Sequence, residues 1–409
     1  MKKYTIEGER MFLERTAISL AAAQQKIKEL TITKRTKRVA VTAAHGLVLA
    51  ETITAPFPQP SFRRSGYDGY GITTADDGAF PITLRLAAEV PAGATFQQKL
   101  AAGETVRIMT GAQVPEDVVK VIMLEKTEQL PDGRVLFHEG SRSDNITPIG
   151  AEFPQGATLL TAGQRMNAGA ISLLSAFGIN ECLVYEKPRV AVLATGTELL
   201  AAGSVPEAGK IYNSNGPLLA ALVAENGGAL YELGQIADEM ATVEETLKRL
   251  AQEVDLIITT GGVSVGDFDF LAVAAQDSGQ LLFNKLAMRP GSPTTAFVYE
   301  NTPVLALSGN PGACFTGFYL LVEPLLQAFQ GQESRLRQTT LKLAHDYRKK
   351  NNFDRYLRGT WREETVALVG SDQSSALGNL HLTTCFFKIP HEQELTAGEE
   401  VQVWCLPCK

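Results

Sequence analysis

The segment 255–269, DLIITTGGVSVGDFD, constrains this chain more than any other. Asp255 to Thr259 form a short, apolar, β-branched run of the kind that makes a buried parallel strand. Thr260-Gly261-Gly262 follows, where side chains vanish and the backbone can approach a ligand closely. Val263 to Gly266 then lead into an apolar stretch, Phe268 to Ala275, that can start a helix. Strand, glycine loop and helix together aim N–H groups and a positive helix end at an anion, and Ser264 lies among them. Asp267 and Asp269 stand at the same mouth, and acids beside a phosphate site suggest magnesium between them. The same glycines would equally serve a tight strand-to-helix turn that binds nothing. No G-x-x-x-x-G-K-[ST] occurs and no G-x-G-x-x-G follows a strand, so P-loop NTPase and dehydrogenase readings lose support.

The same strand-loop-helix grammar recurs through 188–330, as a parallel sheet demands. RVAVLAT, Arg189 to Thr195, leads into Gly196-Thr197-Glu198. YNSNGPLLAALVAENGG opens a helix with Asn or Ser capping and Pro217 in its first turn. Thr242 to Glu245 reads as a capping box, with Leu247, Leu250, Ala251 and Val254 on one helix face. PVLALSGNPGACF repeats the opening logic, with Ser308, Gly309, Asn310 and Pro311 in the loop. Loops at 195–199, 259–269 and 307–312 are therefore expected at one sheet edge, where open α/β sheets bind ligands. Lys285 and Arg289, on a cationic turn from Lys285 to Ser292 that includes Pro290, add positive charge, while Glu198, Asp267 and Asp269 add oxygens suited to a metal. This mixture fits a polyanion held with Mg2+.

At 409 residues the chain exceeds one core, so several domains are expected. Net charge is −7, and KRTKR at 34–38 is the densest basic patch, which argues against nucleic acid. Five cysteines are too few and too scattered for a disulfide scaffold and fit a reducing cytoplasm. Cys405-Leu-Pro-Cys408 lacks a second ligand pair, so two thiols near a chain end are the better reading than zinc. The charged N-terminus has no signal-peptide core, and no segment approaches 18 consecutive apolar residues, so a membrane-spanning role is not expected.

Residues 11–30 read as a helix, with Ile18, Ala21, Ala22, Ile27 and Leu30 as its apolar face, and 39–50 as another. TAPFPQP at 54–60 breaks the pattern and delivers RRSGYDGYG, in which Asp68 stands between Gly66 and Gly69. On pattern alone this is a β-turn whose acid bonds its own backbone. Short strands from 80 to 137 suggest a small inserted β-domain, one of them ending at Thr110-Gly111. From 331 onward the chain alternates as an all-β domain.

Seven motifs in order now resemble the molybdopterin molybdenumtransferase family, which includes MoeA and the gephyrin E-domain. They are SGYDGYG (65–71), RIMTGAQVP (107–115), ATGTEL (194–199), YNSN (212–215), TTGGVSVGDFD (259–269), MRPGSP (288–293) and LSGNPGACF (307–315). The resemblance implies an elongated, four-domain α/β and β chain. Its expected parts are an N-terminal mixed domain (1–50 plus 140–187), an inserted β-domain (51–139), a parallel-sheet α/β domain (188–330) and a C-terminal β-barrel-like domain (331–409). It also implies a homodimer whose site is shared, the loop with Asp68 and Thr110 facing the α/β domain of the other protomer.

The implied reaction inserts molybdate into adenylylated molybdopterin, with Mg2+-dependent hydrolysis of the adenylate and release of AMP. Asp68, Thr110, Glu198 and Asp269 are the catalytic candidates. Thr195, Gly196, Asn213, Ser214, Asp238, Gly261, Gly262, Ser264, Lys285, Arg289, Pro290, Ser308, Gly309, Asn310 and Pro311 are the substrate-binding ones, and Glu198, Asp267 and Asp269 the metal ligands. Other cofactor-synthesis proteins are conceivable partners. Departures from the family pattern are Thr197 for an acid, Ser292 for a lysine, Ser308 for a proline, Thr147 for an arginine and Glu152 for Asp. A tungstate-inserting relative, a non-catalytic cofactor-binding scaffold and a nucleotide pyrophosphatase are the competing readings. The insert and the β-tail disfavour the pyrophosphatase.

Overall fold

A computed structural model describes residues 4–7, 10–13, 15–78, 80–236, 240–262 and 279–407. The chain divides into two compact units, Val39–Cys182 and the remainder, Met1–Arg38 with Leu183–Lys409.

The Val39–Cys182 unit is organised by a six-stranded sheet in the order 127–129, 134–137, 82–90, 104–108, 69–73, 118–123. Its pairs are antiparallel except that Ile82–Val90 runs parallel to Glu104–Ile108. Alternation along the strands sends Val90, Val106, Ile108, Val118 and Val121 into one apolar cluster. Tyr70, Ile72, Leu84, Ile122, Val135 and Phe137 form another. Gly69 is required by packing, since a Cβ there would lie 2.2 Å from the Ile122 carbonyl oxygen.

In the other unit a second six-stranded sheet has the order 229–236, 189–195, 256–260, 302–307, 295–299, 279–283. The first four strands are parallel and the last two join antiparallel. Leu256–Thr260 and Thr302–Leu307 are buried along their whole length because helices cover both faces. On one face lie helix Asn215–Glu225 and the helical run 311–329, which includes a π-helical stretch at Phe318–Val322. On the other, helix Met240–Ala251 buries Val243, Leu247 and Leu250. The run 311–329 is long and apolar enough to cross a membrane by length and composition, yet it is mostly buried within the chain, as a core element is.

The C-terminal strands close on themselves. Asp354–Arg362 pairs with Thr365–Leu368, then follow Arg337–Leu343, Glu400–Cys405 and Cys385–Ile389, and the last returns to Asp354–Arg362. The resulting five-stranded barrel encloses Leu343, Leu357, Val366, Phe387, Val401 and Val403. Arg358, only 2% exposed, donates through Nε to Asn379 Oδ1 and through Nη2 to the carbonyls of Ser371 and Gln373. Its guanidinium lies against Gly312 at the start of helix Pro311–Gly317.

Three local expectations are corrected. The helix expected over 11–30 is confined to Leu20–Lys28, while Arg10–Leu13 pairs with Tyr4–Glu7 as a strand. Ser19 caps that helix, and its buried face is Leu20, Ala23 and Ile27, leaving Ala21 and Ala22 exposed. Alanines on every side gave the apolar pattern no phase. The helix expected over 39–50 is reduced to a 3₁₀ turn, Val41–Ala43, after strand Thr36–Ala40, because β-branched residues and Gly46 at φ +77° resist a longer helix. The helix at Met240–Ala251 has already begun before Thr242, so Thr242 is not its cap.

Gly312→Ala tests the joint between helix and barrel. A Cβ there would meet Arg358 Nη1 at 2.6 Å and the Ser374 carbonyl oxygen at 2.8 Å. Loss of about 1–3 kcal/mol in urea unfolding is expected, whereas alanine at Gly378, where a Cβ meets nothing within 4 Å, leaves the midpoint unchanged.

Candidate active site

The C-terminal ends of three adjacent parallel strands meet at one edge of the α/β sheet. Arg189–Thr195 lies beside Leu256–Thr260, with Ala194 opposite Thr260, and the latter lies beside Thr302–Leu307, with Thr260 opposite Leu307. The chains leaving these strands are held at backbone contact. A Cβ on Gly261, whose φ is +90°, would lie 2.4 Å from the Thr195 carbonyl oxygen. On Gly262, at φ +64°, it would lie 2.7 Å from Thr195 Oγ1. Only glycine fits both the dihedral and the gap.

Around this contact lies a cleft of about 80 Å³. Thr195, Glu198, Asn213, Ser214, Asn215, Thr260, Gly261, Gly309 and Pro311 line it, with Leu199, Ile211 and Tyr212. Side chains tie the loops together. Asn215 Nδ2 donates to Thr260 Oγ1 and to the Gly309 carbonyl, both at 2.8 Å, and Thr260 Oγ1 donates to the Ser308 carbonyl at 3.3 Å. Asn213 Oδ1 accepts from Gly216 N–H at 2.9 Å, capping helix Asn215–Glu225 in place of Ser214, whose side chain makes no cap bond. The Gly196 carbonyl accepts from Gln235 Nε2. That geometry places Glu198 beside Gly196, where a Cβ would lie 2.5 Å from its Oε2.

The cleft therefore gathers Thr195, Glu198, Asn213, Ser214, Gly261, Gly309 and Pro311 from the sequence-derived set, with Gly196, Gly262, Ser308 and Asn310 adjoining in the same loops. Lys285 and Arg289 are not among its lining residues. The Lys285 carbonyl accepts from Ile18 N–H, and Arg289 places its guanidinium 4.9 Å from the Phe353 ring centre. Pro290 is buried next to it. Ser292 donates from its hydroxyl to the Leu286 carbonyl at 2.7 Å. Asp238, Ser264, Asp267 and Asp269 lie outside the described residues. Leu199, Ile211 and Tyr212 were absent from the sequence-derived set, and so were two lining residues that bond across the cleft, Asn215 and Thr260. The motifs YNSN and TTGG contain them, but as a helix-opening residue and a strand-ending residue they gave no separate signal.

Among the described lining residues Glu198 is the one charged group. The donors present are a carboxylate, hydroxyls and amide oxygens, a set that fits a hard cation and not a soft one. Cys314 lies just behind, and burial pushes its thiol up to about 12, which removes it as a nucleophile.

The other unit carries an acid held ready. Asp68 is exposed, and its Oδ1 accepts from Thr110 Oγ1 at 2.7 Å and from Thr110 N–H at 2.5 Å. These bonds, the hydroxyl's first, hold the carboxyl below the usual carboxylate range, and Arg107 adds to the effect. The turn is thus more than a self-bonded β-turn: Asp68 is fixed by a residue 42 positions away.

Thr110→Val removes the hydroxyl bond and keeps the backbone one, so the Asp68 pKa should rise part of the way towards its ordinary value. A carboxyl carbon NMR titration measures it. Because the folded value is the lower one, wild-type Asp68 protonates only at more acidic pH, and any step needing its anion should fail at higher pH in the variant.

Three family models cover most of the chain: the MoeA N-terminal region (domains I and II) at 18–178, a probable molybdopterin-binding domain at 191–328, and the MoeA C-terminal region (domain IV) at 340–406. The molybdopterin molybdenumtransferase of Bacillus subtilis strain 168 is 36% identical over 408 residues, covering 96% of this chain and 95% of that protein. The protein of the same name from Staphylococcus aureus strain MRSA252 is 36% identical over 95% of this chain and 96% of its own length. A crystal structure of the molybdopterin biosynthesis MoeA protein of Pyrococcus horikoshii superposes with a TM-score of 0.85 at 28% identity, covering 95% of this chain and 99% of that one. The matches along nearly the whole chain give one conclusion: this chain belongs to the molybdopterin molybdenumtransferase family.

Proposed function

We propose that the protein inserts molybdate into adenylylated molybdopterin, hydrolysing the adenylate and releasing AMP and molybdenum cofactor. The observation that supports this best is the convergence of the 195–198, 213–215, 260–261 and 309–311 segments on one cleft, in a chain that matches molybdopterin molybdenumtransferases along nearly its whole length.

The residues present can be assigned work by their chemistry. The glycine loop at 261–262 lets the backbone approach a ligand without side chains in the way, and the helices that start at Asn215 and Pro311 bring their positive ends to the cleft that both residues line. The lining carries an acid and no lysine or arginine among the described residues, so a polyanion here needs a counter-charge. Glu198, with Asp267 and Asp269 as further candidates, would hold Mg2+, which supplies that counter-charge and polarises the phosphate to be hydrolysed. Glu198 would also orient the water that adds across the pyrophosphate linkage. Asp68, already ionised through Thr110, would act as a fixed anion that holds a proton or a positively polarised group of the reacting ligand.

In this reading the protein is a cytoplasmic homodimer, and Asp68 and Thr110 of one protomer complete the cleft of the other. Asp68→Asn and Glu198→Gln should each fold normally yet release no AMP from adenylylated molybdopterin, molybdate and magnesium. Mixing the two variants restores about a quarter of wild-type turnover if the site is shared, because half of the dimers are mixed and each holds one intact site of two. No recovery on mixing would place both residues in one protomer's site. Chelating magnesium should stop AMP release, and replacing molybdate by tungstate in the same assay separates the two oxyanions.

A further inference from the structure

Among the described residues that line the cleft, two carry a buried side-chain oxygen without a hydrogen-bond partner. Asn215, 7% exposed, donates both Nδ2 bonds within the protein, one to a backbone carbonyl. A carbonyl oxygen can only accept, so the amide's orientation is settled and its Oδ1 faces away from Gly309. That Oδ1 is buried and receives no hydrogen bond. Thr195, 4% exposed, has an Oγ1 in the same condition. Both residues line the cleft. Buried acceptors without donors are uncommon because desolvation is not repaid, and sites keep them where a ligand brings the missing proton.

The chemistry of the missing partner follows. Asn215 Oδ1 is an acceptor only, so a phosphate or molybdate oxygen cannot satisfy it, whereas an amino or ring N–H can. The anchored Nδ2 prevents the amide from turning over to offer a donor instead. Thr195 Oγ1 can give or take a proton and suits the ring atom beside that N–H, where heterocycles alternate donors and acceptors.

We propose that Asn215 is a specificity-determining residue, whose Oδ1 accepts a hydrogen bond from an exocyclic amino group of the ligand's heterocycle, with the Thr195 hydroxyl serving the adjacent ring atom. The inference rests on the cleft being the site of an adenylylated pterin. Such a ligand has two rings with an amino group, the pterin and the adenine, and the same chemistry could come from either.

Calorimetric titration of the full-length protein, in chelator so that no cation competes for Oδ1, decides the matter with four probes. Pterin is compared with lumazine, its 2-oxo counterpart, and AMP with IMP, its 6-oxo counterpart. Wild type should bind the amino member of one pair about tenfold or more tightly than the oxo member, since a site built for a donor rejects its absence. The pair that shows the difference identifies the ring. Asn215→Leu should bring that ratio near one, and Thr195→Val, which removes an unbonded atom and leaves the fold intact, should weaken the amino probe alone. Equal binding within both pairs by wild type overturns the inference while leaving the cleft as the ligand site. So does an unchanged ratio in an Asn215→Leu variant with a native circular dichroism spectrum; if that variant does not fold, the wild-type ratio and Thr195→Val decide. Failure of all four probes to bind wild type overturns the reading of the cleft itself, and this inference with it.

Discussion

Close approach of backbone to backbone at the ends of three parallel strands is the constraint on which the cleft depends. Parallel strands leave a sheet edge in the same direction, so the loops that follow them crowd together. At Gly261 the crowding is relieved by deleting a side chain: the position where a Cβ would be lies 2.4 Å from the Thr195 carbonyl oxygen. With that contact made, Thr260 and Asn215 can reach across the gap, and one hydrogen-bonded chain runs from Asn215 through Thr260 to Ser308. Any side chain at 261 would separate these groups. The loops hold ligand-binding geometry because they are fastened to strands buried on both faces.

Electrostatics divide the labour differently from what residue types alone suggest. Lys285 and Arg289 look like the cations of an anion site, but they lie outside the cleft lining, one on a turn fastened to Ile18 and the other over an aromatic ring. The cleft presents Glu198 and neutral oxygens to its ligand. An acid among neutral donors repels a polyanion unless a cation intervenes, which is why the metal in the proposed reaction follows from the donor set as well as from family resemblance. In the other unit the Thr110 hydrogen bonds, with Arg107 adding to them, hold the exposed Asp68 carboxyl below the usual carboxylate range.

The support of the site comes from elements whose sequence character is easily misread. The helical run 311–329 is long and apolar, but its hydrophobicity serves the sheet face and the barrel side at once. Its first turn also touches the buried guanidinium of Arg358, so the start of the helix that reaches the cleft is braced by the barrel. A buried arginine that donates to the Ser371 and Gln373 carbonyls and to Asn379 Oδ1 orders the 371–379 segment.

The sequence by itself determined the strand-loop-helix units at Thr195, Thr260 and Leu307, because buried parallel strands need unbroken apolar runs and the turns after them need glycine. Seven ordered motifs also determined the family. It did not determine the limits of the helix at Leu20–Lys28, where alanines blur the apolar face, nor the two strands that finish the α/β sheet antiparallel, since a buried strand reads alike in either direction. Asp68 could not be told from an ordinary turn acid, because Thr110, which fixes it by two hydrogen bonds, is distant in the chain. Asn215 was legible only as a helix start. Its meaning lies in which of its two amide atoms is already bonded, and that is decided by Gly309 and Thr260, brought beside it only when the sheet assembles.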